Sequence, residues 1–188
     1  MAIKVYIDQG HNPSPPNSGA EGNGYREQDI TYEVGIRLAQ LLRGNGNFDV
    51  RLSRPTRQTQ LGTSNASSLS ARVNEANGWG ADYFVSIHTN ASVSPEANGT
   101  EVLVYSRNSV SYNLAEDILR ELTEITGFDN RGVKLRPGLY VLRKTNMPAV
   151  LVELGFISNA YEANFMANNP QLFAQGIYQG ILDYLSLS

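Results

Sequence analysis

Histidine and glutamate, two residue types suited to metal binding and proton transfer, follow predicted strands in this sequence. The 188 residues include only two histidines, and both His11 and His88 come directly after the end of a predicted strand. Glu153 ends a third predicted strand. In open α/β sheets, ligands bind outside the carboxyl ends of the strands. We therefore expect these three side chains to meet at one edge of a sheet.

Glu27 can supply a further ligand, because it follows a long polar loop and opens the first predicted helix. A glutamate in a first helical turn also offsets the helix dipole, so this position has a purely structural explanation as well. A loop that returns to the sheet edge would nevertheless place Glu27 beside His11. Glu21 is a rival that we reject, because a glycine-rich loop holds a ligand less rigidly.

Two histidines and one carboxylate leave a fourth position open on zinc, which is the pattern of catalytic sites. Zinc lowers the pKa of a bound water to about 7 and polarises a carbonyl group. Glu153 could then take the proton from that water and deliver it to a leaving amine. These residues therefore provide the parts needed for amide hydrolysis.

The elements that must position these residues alternate between strands and helices. Apolar patterns predict strands over residues 3–7, 48–52, 82–87, 101–105, 139–142 and 149–152. They predict helices from residue 27 to Gly44, over 69–76 and over 114–125, and two more near the carboxyl end. Ser67 or Ser68 is the expected N-cap of the second helix, and Pro170 after Asn169 marks the start of the last. Long polar loops cover 12–26 and 53–67. The predicted fold class is α/β, a single three-layer domain over 1–188 whose mostly parallel twisted sheet has helices on both faces.

Composition excludes several classes of function. Fifteen Lys and Arg against eighteen Asp and Glu give a net charge of −3, which argues against a nucleic-acid surface. The absence of cysteine excludes disulfides, thiolate zinc sites, iron–sulfur clusters and cysteine nucleophiles. No apolar run is long enough for a membrane span. The first seven residues are not expected to be a signal peptide, because their apolar stretch is short and Lys4 interrupts it.

Several segments, taken in order along nearly the whole chain, resemble one enzyme family. They are IDQGH at 7–11, LSR at 52–54, ADYFV at 81–85, VSIHTNA at 85–91 and PAVLVELGFISN at 148–159, with Glu27 opening a helix. Together they closely resemble the zinc-dependent N-acetylmuramoyl-L-alanine amidases of the amidase type 3 catalytic domain. Gln9 and Asn12 depart from the family, which usually has proline and glycine there, and they put the local loop conformation in doubt.

The resemblance implies a peptidoglycan hydrolase that cuts the amide bond between N-acetylmuramic acid and the L-alanine of the stem peptide. Carried over position by position, it implies that His11, Glu27 and His88 bind Zn²⁺ and that Glu153 is the catalytic glutamate. Glu153 would act as general base towards a zinc-held water and would then protonate the amine of L-alanine.

Three further residues are candidate site residues, and each also has an ordinary structural explanation. Asp8 either orients His11, since metal-ligating histidines usually have such a partner, or is a turn residue. Asn90 either contacts substrate amides or caps a turn. Arg143 either meets a stem-peptide carboxylate or serves the structure of the predicted strand.

The expected partner is peptidoglycan, at the bacterial cell wall, reached by secretion or by release at lysis. We expect a monomer with no nucleic-acid partner. A wall-anchoring domain outside this chain is compatible with the sequence. A zinc peptidase or carboxypeptidase and a non-catalytic wall-binding module are the alternatives. The sequence does not distinguish a phage endolysin from a sporulation enzyme or an autolysin.

Overall fold

A computed structural model describes residues 2–188 as an α/β domain around a six-stranded sheet. The strands are β1 (Ile3–Gln9), β2 (Glu21–Gly22), β3 (Tyr25–Arg26), β4 (Phe48–Leu52), β5 (Tyr83–Asn90), β6 (Thr100–Val104), β7 (Asn130–Leu135) and β8 (Ala149–Phe156). The helices are α1 (Glu27–Asn45), α2 (Asn65–Trp79), α3 (Val110–Thr126), α4 (Tyr140–Lys144), α5 (Ala160–Asn168) and α6 (Pro170–Tyr184). Within residues 2–188, no helix is both long and apolar enough to cross a membrane.

The main sheet has the strand order β4-β1-β5-β8-β6-β7. Its neighbouring strands are parallel except for β6 and β8, which run antiparallel. Strands β2 and β3 form a separate antiparallel pair. The predicted fold class, a mostly parallel sheet with helices on both faces, is confirmed.

Side chains alternate between the two faces of the sheet, and each face has its own core. Val5 and Ile7 of β1 belong to the larger core, to which α1, α3 and α6 contribute. Tyr6, between them, belongs to a smaller core that includes Val73 of α2 and Val141 of α4. This alternation, which has a period of two residues in a strand, decides which polar side chains share a face.

Three local predictions need correction. The predicted strand over 139–142 is wrong, because Leu139 precedes helix α4 and the Arg143 N–H donates to the Leu139 carbonyl. An apolar run of this length is too short to show whether its periodicity is that of a strand or of a helix. Helix α2 begins earlier than predicted, after Ser64, whose side chain accepts from the Ser67 N–H. Ser67 is therefore the far member of a capping box, and Ser68 also lies inside the helix, so neither predicted residue is the N-cap.

Strand β7 was not predicted. It lies at the edge of the sheet, has no fully buried side chain, and contains Gly132 with φ of 84°. An edge strand without an apolar run lacks the pattern on which sequence-based prediction depends.

Helices α3 and α6 pack closely because α6 presents glycine at the contact. A β-carbon at Gly180 would lie 2.7 Å from the backbone nitrogen of Ile118 in α3. Gly180→Ala should therefore lower the free energy of unfolding by about 1–3 kcal/mol through overpacking, although alanine is the better helix former. Urea unfolding measures this change.

Gly44 is the matched control, because it lies in helix α1 and a β-carbon there would meet nothing within 4 Å. Gly44→Ala should leave the free energy of unfolding unchanged or raise it by up to about 1 kcal/mol. Equal effects of the two substitutions would contradict the close packing of α3 and α6.

Candidate metal centre

Three predicted ligand residues converge at one edge of the sheet. His11 follows β1, Glu27 opens α1 and His88 lies in β5, and each offers one ligand atom within 4.8 Å of the others. The Glu27 carboxylate lies between the two rings, with Oε2 3.2 Å from His11 Nε2 and Oε1 3.0 Å from His88 Nδ1. The structure thus brings together the three residues that the sequence singled out.

The loop after β1 folds back to place Glu27. The β2–β3 pair reverses the chain, and the Glu27 N–H donates to the Ala20 carbonyl at 2.9 Å. Gly19 allows the close approach, since a β-carbon there would lie 2.8 Å from Glu27 Cβ and 2.9 Å from His11 Cδ2. The rival Glu21 lies in β2 with an exposed side chain, outside the group.

The contacts of Glu27 favour a role as a ligand over an interaction with its own helix. Its side chain is buried, and its oxygens accept the N–H groups of Ala20 at 2.9 Å and Thr89 at 3.0 Å. Both donors lie outside α1, so the carboxylate faces the histidines and not the amides of its own helix. Burial acts to raise the pKa of Glu27, but hydrogen bonds with His11 and His88 lower it below its ordinary value. Glu27 is thus an ionised acceptor between two imidazoles.

Glu153 lies beside this group in a row across three strands. His88 of β5 is the register partner of Glu153 in β8, and Glu153 is the partner of Glu101 in β6. The Glu153 Oε2 atom is buried and has no hydrogen-bond partner among residues 2–188. Burial, together with the negative charges of Glu27 and Glu101, raises the pKa of Glu153 to about 8.

This donor set fits a divalent cation. Two imidazoles and one carboxylate are ligands that zinc accepts, and they leave a coordination position open. Both histidine side chains are about one-fifth exposed, so the group has an open side towards solvent. A cation here would also favour the ionised form of the unpartnered Glu153 carboxyl.

Glu101 belongs to the site and was missed in the sequence. It is buried in β6, where Asn90 Nδ2 and Arg131 Nε each donate to its carboxylate at 3.1 Å. Because β6 runs antiparallel to β8, its beginning lies at the carboxyl edge of β8. A search of strand ends therefore overlooks it, although a glutamate in an otherwise apolar strand is a signal in itself.

Asn90 bonds both to a carboxylate of the site and to the backbone of the next residue. Besides its bond to Glu101, its Oδ1 atom accepts the N–H of Ala91 at 2.9 Å. Arg143 lies in α4 with an exposed side chain that makes no hydrogen bond or ion pair within residues 2–188. Its proposed contact with substrate stays a prediction, as does that of Asn90.

Asp8 reaches His11 only through Arg72, a residue that no sequence pattern indicates. Asp8 Oδ1 is 2.5 Å from Arg72 Nη1, and Asp8 Oδ2 accepts the Ser86 hydroxyl at 2.8 Å. Arg72 Nη2 donates to the His11 carbonyl at 2.6 Å. The buried pair of Asp8 and Arg72 thus holds the backbone of His11 and not its ring.

Comparisons with known proteins agree with this geometry. A protein-family model described as N-acetylmuramoyl-L-alanine amidase matches residues 5–183. The N-acetylmuramoyl-L-alanine amidase CwlM of Bacillus licheniformis is 35% identical over 99% of this chain and 70% of its own length. The sporulation-specific N-acetylmuramoyl-L-alanine amidase of Bacillus subtilis is 34% identical over 95% of this chain and 65% of its own length. The chain thus spans about two thirds of these curated relatives.

Solved structures show the same fold. The catalytic domain of CwlV, an amidase from Bacillus (Paenibacillus) polymyxa var. colistinus, superposes with a TM-score of 0.87 at 33% identity, covering 99% of both chains. The CwlD amidase from Clostridioides difficile, solved in complex with the GerS lipoprotein, gives a TM-score of 0.90 at 28% identity, covering 99% of this chain and 100% of its own.

Proposed function

This chain belongs to the N-acetylmuramoyl-L-alanine amidase family, and from that premise we propose that it hydrolyses the amide bond between N-acetylmuramic acid and the L-alanine of the peptidoglycan stem peptide. The observation that carries the proposal is the convergence of His11, Glu27 and His88, with Glu153 next to His88 in the sheet. We propose that it acts at the bacterial cell wall.

His11, Glu27 and His88 would hold Zn²⁺. When bound, zinc lowers the pKa of a water molecule and polarises the carbonyl of the scissile amide. The chain's own contribution is to bring the three ligands together: the Glu27 carboxylate lies between the imidazoles, with its oxygens 3.0 and 3.2 Å from the nitrogens that would bind the metal.

Glu153 would serve as the general base. Its carboxylate would take a proton from the attacking water, whose oxygen bonds to the lactyl carbonyl carbon. The same carboxyl would then give the proton to the nitrogen as the C–N bond breaks, which leaves a lactyl carboxylate and a free amino group on L-alanine. Its unpartnered oxygen and its position beside His88 support this role.

A zinc peptidase would need the same kinds of residues, and a wall-binding module would need none of them. The family match and the names of the relatives favour the amidase over the peptidase. The presence of all four candidate residues in one place favours an enzyme over a binding module.

Mass spectrometry of digested peptidoglycan tests the proposal. We expect free stem peptides that begin with L-alanine, together with intact glycan strands, from the wild type with zinc. We expect no product with a chelator or from Glu153→Ala, and full activity from Glu21→Ala, which changes an exposed glutamate of β2 outside the ligand group. Cuts inside the stem peptide would establish the peptidase instead, and wall binding without any product would establish the binding module.

A further inference from the structure

We propose that Asn12 is a positioning residue for the metal centre: its buried side chain ties the segment that carries His11 to the loop over residues 53–64, and this tie holds His11 in place for metal binding. The inference rests on the metal site proposed above. It concerns a buried side chain whose hydrogen bonds do not go to the rings of the candidate ligands, so its test can be separated from that of the amidase reaction.

Asn12 uses its full hydrogen-bonding capacity. Its side chain is buried, and Nδ2 donates to the carbonyls of Pro16 at 2.7 Å and Leu61 at 2.9 Å. Its Oδ1 accepts the Leu61 N–H at 3.1 Å and Arg72 Nη2 at 3.3 Å. An amide side chain has two donor hydrogens and two acceptor lone pairs, so all four are used. Both polar groups of the Leu61 backbone are thereby bound to one side chain.

His11 needs support from its backbone. Its φ of 68° lies in the left-handed region, which a residue other than glycine keeps only when its surroundings hold it there. Metal-ligating histidines usually donate their second ring nitrogen to a partner that fixes the ring, but His11 Nδ1 is buried without one among residues 2–188. Apart from Glu27 at Nε2, the His11 ring has no hydrogen-bond partner among these residues, so the main chain carries the rest of its positioning. There Arg72 holds the His11 carbonyl, and Asn12 is the next residue.

Asn12 is not needed for its own backbone conformation. The residues other than glycine with positive φ are His11, Asn17, Asn23 and Ser186 within residues 2–188, so Asn12 does not exploit the tolerance of asparagine for the left-handed region. The side-chain bonds are what the asparagine supplies, and neither glycine nor alanine can replace them.

Gln60 provides a matched control, because it joins the same two segments at the surface. Its Nε2 atom donates to the carbonyls of Ser14 at 3.2 Å and Pro15 at 3.3 Å, and both contacts are exposed. Water competes for such bonds, so their loss changes little. Gln60→Ala removes a tie between the segments and leaves the hydrogen bonds between Asn12 and Leu61 in place.

The experiment measures zinc affinity by competition with a chromophoric chelator, and hydrogen exchange of the Leu61 amide in metal-free protein. Asn12→Ala should bind zinc about 10-fold or more weakly, the usual effect of losing a partner behind a metal ligand. Its Leu61 amide should exchange faster than in the wild type. Gln60→Ala should match the wild type in both measurements, and His11→Ala should lose the site.

The outcomes separate the two proposals. If the wild type and His11→Ala bind zinc equally, the metal site itself is wrong and the role of Asn12 falls with it. If His11→Ala loses zinc while Asn12→Ala keeps wild-type affinity, the metal site stands and the positioning role of Asn12 is overturned. If Asn12→Ala does not fold, Asn12→Ser decides in its place, because its single hydroxyl cannot bind both Leu61 groups and Pro16. Wild-type zinc affinity in that variant overturns the inference.

Discussion

Replacing Glu153 by glutamine should lower the rate of amide hydrolysis by about 10²- to 10⁴-fold, the contribution typical of a positioned general acid–base. Glutamine has nearly the same shape and can fill the same half-buried position in β8. It cannot take a proton from water, so the loss reports proton transfer and not packing. Release of stem peptides per unit time, measured with zinc present, gives the ratio of rates.

Zinc content and a neighbouring glutamate control this prediction. Glu153→Gln should bind zinc as the wild type does, because the three candidate ligands are elsewhere. Glu101→Gln changes the next carboxylate in the same row, which is already bound by Asn90 and Arg131, and should cost much less activity. A Glu153→Gln enzyme with substantial activity, or equal losses from both variants, would remove Glu153 from the mechanism.

The sequence predicted that His11, Glu27 and His88 would meet, because each of them occupies a position that local patterns can identify. His11 and His88 follow apolar alternating segments, and Glu27 begins a helix with a clear apolar face. The carboxyl ends of parallel strands share an edge, so two strand ends and one returning loop sufficed to bring the three residues together.

Glu101 and Arg72 could not be found in this way because their roles depend on neighbours that are distant in sequence. Glu101 enters the site only because β6 reverses direction beside β8, and no local pattern in a strand reveals the direction of its neighbour. Arg72 lies on α2 and is buried by contacts with residues more than sixty positions away. A charged residue in a helix is more often exposed, so its burial was not predictable.

Gln9 and Asn12, which depart from the family pattern, illustrate the same limit. Both are buried, and both join the chain at the end of β1, or just after it, to the loop after β4. Gln9 Oε1 accepts the Arg54 N–H at 2.8 Å, as Asn12 Oδ1 accepts that of Leu61. The doubt about loop conformation is answered by hydrogen bonds that only the three-dimensional arrangement reveals.

Arg72→Met should lower the free energy of unfolding of the metal-free protein by about 3–5 kcal/mol at neutral pH, since it leaves the buried Asp8 carboxylate without its ion partner. Both side chains are about 1% exposed. Urea unfolding measures the loss. Arg120→Met is the control, because Arg120 contacts Asp117, Glu121 and Asp183 at the surface. Arg120 has more charged partners than Arg72, but exposed ion pairs contribute only about 0–1 kcal/mol.

The effect of Arg72→Met should depend on pH in a direction that identifies Asp8. Burial acts to raise the pKa of Asp8, but the charge of Arg72 holds it below its ordinary value. In the wild type this stabilisation is complete above the unfolded pKa of about 3.9 and is lost as the pH falls through the folded value. Without Arg72, burial raises the pKa of Asp8. Protonation of Asp8 as the pH falls then removes the cost of a buried, unpaired charge in the variant. The difference in stability should therefore shrink as the pH is lowered from 7 towards 4, and a difference independent of pH would show that Arg72 acts through its backbone contacts and not through Asp8.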